Sequence, residues 1–229
     1  MTRKHFTQEL NQLRDQIITM GSYVAEELRH ALAALNDLDL TKAGYVTSLD
    51  KQVNSIRFAI EERCFLIIAT QQPAAGDLRL VFAAANMIVD LERMGDQAKG
   101  IAKLIPQLTL HPDLQHPGEL DRMGKLVGAM LQDALRAFAD GDVALSQNVA
   151  ERDPEVDSLY ANVFTQIMFM LAQSSDPERV RVIYELLRCA RELERFGDLV
   201  ANFAERSIYL VTGSMPGDNH AVDLPGFRL

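Results

Sequence analysis

Apolar residues recur along this chain in steps of three and four, and almost nowhere in the two-residue alternation of a strand. Phe6, Leu10, Leu13, Ile17, Met20 and Val24 form one seam that continues through Ala31 and Leu35. It predicts a helix of about 30 residues, ~45 Å long at the usual rise per residue. Residues 36–40 read as a turn. A second helix follows from about Thr41, with Val53, Ile56, Ile60, Cys64 and Ile67 on its buried face, and Gln71, Gln72 and Pro73 end it. The third runs from about Ala74 to Ile105, where Pro106 is expected to stop it. Residues 106–118 hold three prolines, two histidines and a glycine without periodicity, which is a linker.

The pattern then starts again. Met123, Val127, Leu131, Ala134 and Phe138 mark a fourth helix, turned by the Ala-Asp-Gly-Asp cluster at 139–142. A fifth covers roughly 143–172. Ser174, Ser175 and Asp176 offer an N-cap and Pro177 suits the first helical position of a sixth helix, which runs to about Leu210. The tail, 212–229, has no pattern and is expected to be loosely ordered. Helices this long suit bundles.

Overlaying the halves turns the outline into a repeat. Met20 and Gly21 fall on Met123 and Gly124, an offset of 103 that also pairs Val24 with Val127 and Asp50 with Asp153. After a one-residue shift near the end of the second helix, an offset of 102 lays LERMGD at 91–96 on LERFGD at 193–198. The expected fold is therefore all-α, two tandem antiparallel three-helix bundles related by internal duplication. The expected division is 1–105 for the first bundle, 106–118 for the linker, 119–211 for the second bundle and 212–229 for the tail.

Composition narrows the function. A formal net charge of -9 speaks against binding a phosphate backbone, which needs clustered Lys and Arg, so nucleic acid is not an expected partner. The start leads into an amphipathic segment rather than an apolar signal core, and runs such as 65–69 are far shorter than the roughly 20 residues of a spanning helix. No membrane insertion is expected. Cys64 and Cys189 sit in apolar helical patterns and read as core residues of a reducing compartment, the cytoplasm.

The repeated words carry the chemistry. Glu92 with Asp96, and Glu194 with Asp198, stand four residues apart, which stacks two carboxylates on one helix face. The overlay adds Asp50 with Asn54 and Asp153 with Asp157 on the preceding helices. If second and third helices are antiparallel neighbours, each half can converge four oxygen donors. Oxygen-only sets suit hard cations such as magnesium, manganese, calcium or oxidised iron. The rival reading is a solvated ladder, in which Arg93 bridges Asp90 and Asp96, and Arg195 bridges Glu192 and Asp198. Recurrence in both copies favours the metal, because such ladders contribute only ~0.3 to 0.5 kcal/mol per pair. Gly95, Gly197, Gly21 and Gly124 read as close helix contacts.

No enzyme is expected. The one Glu-x-x-His spacing, Glu27 to His30, has no counterpart in the second half, and no Ser-His-Asp or Cys-His set stands out. An iron-handling or metal-storage bundle is the alternative function, and a purely structural helical module a third.

Together the two LER-x-GD words, the Asp-x-x-Val-Asn and Asp-x-x-Val-Asp words at 50–54 and 153–157, and the opening HFTQELNQL resemble the PhoU family. These are accessory and regulatory proteins of bacterial phosphate-specific transport. The resemblance covers residues 5–210. It implies two three-helix bundles, a homodimer, and metal clusters on Glu92, Asp96, Glu194 and Asp198 with Asp50, Asp153 and Asp157, with iron and zinc among the metals. It also implies a negative regulator of the phosphate-starvation response that links the ATPase of the phosphate ATP-binding cassette transporter to a membrane sensor histidine kinase, meeting the membrane only through partners. Two residues depart from the pattern. Asn54 lowers the charge of the first site, and Pro154 directly after Asp153 is expected to displace or bend the second.

Overall fold

In the computed structural model, residues 3–214 are described; the expected loose tail falls mainly on 215–229, which lies outside the described residues. The chain is all-α. Helices α1 (Arg3–Asp37), α2 (Leu40–Gln71) and α3 (Ala75–Leu108) form the first bundle, and α4 (Gly118–Asp140), α5 (Val143–Ala150), α6 (Asp153–Gln173) and α7 (Pro177–Thr212) form the second. Local chemistry sets several ends. The Asp39 carboxylate accepts from the backbone N–H groups of Thr41 and Lys42, Asp142 from Leu145 and Asp176 from Glu178, which satisfies donors that the first turn of each helix leaves over.

Two expected boundaries differ. Pro106 does not stop α3, which continues to Leu108. Proline removes one N–H bond, but Thr109 N–H still reaches the Ile105 carbonyl at 3.0 Å, so the last turn closes around it. The fifth helix expected over 143–172 is two helices. Pro154 lies in the first turn of α6, where its missing N–H costs nothing, so the chain breaks at Glu151 and Arg152 and starts afresh. Arg152 holds this corner on α4 by donating to Asp133 Oδ2 at 2.6 Å. In the first bundle the residue equivalent to Pro154 is Lys51, and α2 runs through unbroken.

The seams read from the sequence form the core: Leu13, Ile17, Met20 and Val24 on α1, and Met123, Val127, Leu131 and Ala134 on α4, are fully buried. The bundles share this core along two antiparallel helix pairs. Between α1 and α4 the packing is reciprocal. A Cβ on Gly21 would lie 2.3 Å from a Leu135 methyl, and one on Gly124 would lie 2.6 Å from a Leu32 methyl. Leu32 and Leu135 are themselves repeat equivalents. Between α3 and α7, Asp90 accepts from Arg206 Nε at 2.8 Å at one end, and Gly100 faces the Glu192 carboxylate at the other. The halves are thus related by an approximate twofold axis, on which the two LER-x-GD helices run side by side.

Candidate metal centres

In the first bundle the four expected donors meet basic side chains of the chain itself. Lys99 Nζ stands between α2 and α3, 2.8 Å from Asp50 Oδ1 and 2.6 Å from Asp96 Oδ1. Glu92 is paired with Arg57 at 3.6 Å. The Asn54 side-chain amide donates to the Asp50 backbone carbonyl at 2.9 Å, one turn back on its own helix. Asp50 and Asp96 are therefore brought together, but around an ammonium group.

Beneath them lies a carboxyl from α1 that the paired words do not contain. Glu27 is wholly buried and neither of its oxygens has a hydrogen-bond partner. Burial, reinforced by the charge of Asp50, pushes its pKa up to about 8, against the opposing pull of Lys99. It is a neutral acid at pH 7. Gly95 makes room for it: a Cβ there would sit 2.6 Å from Glu27 Oε2. Gly197, at the same place in the second bundle, faces Val127 and Val156 instead.

Among the described residues the second quartet has no ion-paired cation. Asp153 Oδ1 is buried without a hydrogen-bond partner, and the group is pushed up to about 6, first by burial and then by the charges of Asp198, Asp157, Glu194 and Glu205. Glu194 is raised by burial and then by Asp198 and Asp157, with Arg191 and Arg195 opposing; Asp198 is raised by burial and then by Asp157. Pro154 has not carried Asp153 and Asp157 away from Glu194 and Asp198: all four feel one another. The repeat overlay explains the difference. Ala201 stands where Lys99 does, Tyr160 where Arg57 does, Asp157 where Asn54 does and Met130 where Glu27 does.

A cation fits the donor chemistry of the second quartet, with four carboxylates that form no ion pair among the described residues and an orphaned buried oxygen on Asp153. Among the described residues no three His, Cys, Asp or Glu side chains already stand close enough to hold a metal ion, so side chains must rotate inward to bind one. The ladder does not close into ion pairs, although the Arg195 charge still opposes the raised pKa of Glu192. Among the described residues neither Arg93 nor Arg195 forms an ion pair, Asp90 is paired with Arg206 and Asp96 with Lys99. Lys99 is the residue that sequence reasoning passes over, and Glu27 enters it only as the acid of the Glu-x-x-His spacing and not as a buried group beneath the site. Lys99 lies one turn beyond Asp96 on the same face, and Glu27 interrupts the apolar seam between Val24 and Ala31; both positions were signals.

The PhoU domain matches this chain twice, over residues 17–105 and 120–207. The chain is 34% identical to the phosphate-specific transport system accessory protein PhoU homolog of Clostridium acetobutylicum, over 93% of this chain and 97% of that protein. It is 35% identical to the phosphate-specific transport system accessory protein PhoU of Escherichia coli K12, over 91% of this chain and 86% of that one. Among solved structures, the phosphate transport system regulatory protein PhoU from Streptococcus pneumoniae superposes with a TM-score of 0.84 at 32% identity, covering 92% of this chain and 98% of that one. Both repeats, both signature helices and nearly the whole length are shared, and the chain belongs to the PhoU family.

Proposed function

We propose that this chain is a non-enzymatic negative regulator of phosphate uptake and of the phosphate-starvation response. In this reading it works in the cytoplasm as a homodimer and couples the ATPase of the phosphate transporter to a sensor histidine kinase. A divalent or trivalent ion, iron, zinc, manganese or magnesium, is held by Asp153, Asp157, Glu194 and Asp198. The observation that carries the regulatory role is the match, over both bundles, to proteins named as accessory and regulatory members of phosphate transport. No helix among the described residues is long and apolar enough to cross a membrane, which agrees with a role exerted through membrane-bound partners. Support for the metal comes from the second quartet, whose carboxylates form no ion pair among the described residues.

Deleting the gene should derepress phosphate-starvation genes in phosphate-rich medium, and plasmid-borne wild-type chain should restore repression. Unchanged expression in the deletion strain would sink the regulatory reading. The metal is tested separately, by elemental analysis of protein purified without chelator.

A further inference from the structure

The arginines of the two signature words form no ion pair among the described residues, although the Arg195 charge is felt by Glu192 and Glu194. Arg93 and Arg195 open onto one polar cleft of about 400 Å³ between α3 and α7, lined by these two guanidiniums with Gln97, Asn202, Asp198 and Leu199. The cleft lies where the repeat-related helices run antiparallel, so each copy of the repeat contributes its arginine. Among the described residues neither guanidinium has an ion-pair partner, although the chain carries 32 acidic residues against 23 basic ones. The Gln97 Oε1 atom is buried and has no hydrogen-bond partner, which leaves an acceptor for a hydroxyl group on a ligand. Two planar guanidiniums with the Asn202 amide are a donor set for a tetrahedral oxyanion.

Asp198 would repel most anions, and this makes the cleft selective. A carboxylate accepts a hydrogen bond only from a ligand that still carries a proton. Phosphate does near neutral pH, whereas sulfate does not. We propose that the cleft binds inorganic phosphate, with Arg93 and Arg195 holding its unprotonated oxygens, the Asn202 amide supporting them, and Asp198 with Gln97 Oε1 accepting from its protonated oxygen. A carboxylate has two oxygens and about four lone-pair directions, so Asp198 can face the cleft while remaining part of the acidic quartet. The binding needs no metal. It gives the proposed phosphate-system role a ligand but rests on the cleft itself, and its failure would leave the gene-deletion result untouched.

The test is calorimetric titration of the full chain, stripped of metal with EDTA, with potassium phosphate and with potassium sulfate at matched ionic strength. One phosphate should bind per chain, with sulfate weaker by about tenfold or more, since a site built around a ligand hydroxyl rejects the analogue without it. Arg93→Gln and Arg195→Gln should each weaken phosphate by about tenfold or more. Asp198→Asn should shrink the preference for phosphate over sulfate, a change that general destabilisation would not produce. These side chains are exposed, and circular dichroism melting confirms that each variant is folded. The proposal is overturned by the absence of saturable binding up to millimolar phosphate, by arginine variants that bind like wild type, by equal affinity for sulfate, or by binding that appears only after manganese is added.

Discussion

In the first bundle Lys99 stands between Asp50 and Asp96, and Arg57 stands against Glu92; at the same places in the second bundle are Ala201 and Tyr160. The acidic residues themselves are almost unchanged between the copies, only Asn54 becoming Asp157. What differs is the source of positive charge. Carboxylates gathered at a half-buried helix interface need a counter-charge, because each raises the pKa of the next and burial raises all of them. The first copy takes it from its own chain. The second quartet forms no ion pair with a lysine or arginine among the described residues, feeling only the more distant charges of Arg191 and Arg195, and Asp153, Glu194 and Asp198 are raised.

The largest expected effect separates the two copies by metal affinity. Asp153→Asn combined with Asp198→Asn should weaken manganese or iron binding by about a hundredfold or more, since loss of direct ligands exceeds the 10- to 100-fold typical of supporting residues. Asp50→Asn should leave that affinity nearly unchanged. Calorimetry on metal-stripped protein measures both, and equal losses from the two bundles would erase the distinction.

Next in size is the cost of removing the built-in cation. Lys99→Met leaves Asp50 and Asp96 facing each other above buried Glu27, and should destabilise the fold by about 1–3 kcal/mol, below the ~3–5 kcal/mol of a fully buried ion pair because Asp96 is half exposed. Urea unfolding reads this directly. Adding Asp96→Asn to Lys99→Met should recover part of the loss, a positive interaction that a double-mutant cycle isolates.

The pH dependence comes third. Glu27 and Asp153 bind their protons more tightly folded than unfolded, so each contributes stability that is full at low pH and is lost as pH rises. For Asp153 the window runs from its ordinary 3.8 to about 6, and for Glu27 from 4.5 to about 8. Asp39, Asp113 and Glu119, held low by hydrogen bonds, act below these windows with the opposite sign. Metal-free protein should therefore melt lower at pH 8 than at pH 5, by on the order of 5 °C. Glu27→Gln should flatten the upper part of the decline and Asp153→Asn the lower. A melting temperature that rises over this range would contradict both assignments.

The smallest effect is expected at Asn54. Its amide is spent on the Asp50 backbone carbonyl, so Asn54→Asp should cost about 1 kcal/mol in urea unfolding and gain no metal while Lys99 and Arg57 remain. Metal binding by this single variant would show that side-chain charge, not the resident cations, distinguishes the copies.

Much of this was legible in the residues and some was not, for identifiable reasons. The steps of three and four gave α1 to α4 and α7 because each seam faces a single core, and Asp176 with Pro177 marked the start of α7 by capping chemistry alone. The break before α6 went unread although Pro154 announced it, because proline is as compatible with a first turn as with a kink. The paired words placed Glu92, Asp96, Glu194 and Asp198 correctly on facing helices. They could not show that Lys99, one turn further on, reaches back across to α2, since a lysine on an acidic helix face usually lies in solvent. Glu27 was the subtler omission: a carboxylate on an apolar seam is either an error in the seam or a buried acid, and only packing decides between them. Arg93 and Arg195 read as ladder rungs in one dimension and meet in one cleft in three.

The most direct test of the difference between the copies is a single transplant of charge. Ala201→Lys places in the second bundle the residue that fills the first. If Lys99 is a built-in substitute for a cation, this variant should stay folded, lose metal in elemental analysis and calorimetry, and no longer gain melting temperature when manganese is added at pH 7. An Ala201→Lys protein that binds metal as wild type does would contradict that role for the lysine and place the metal elsewhere in the molecule.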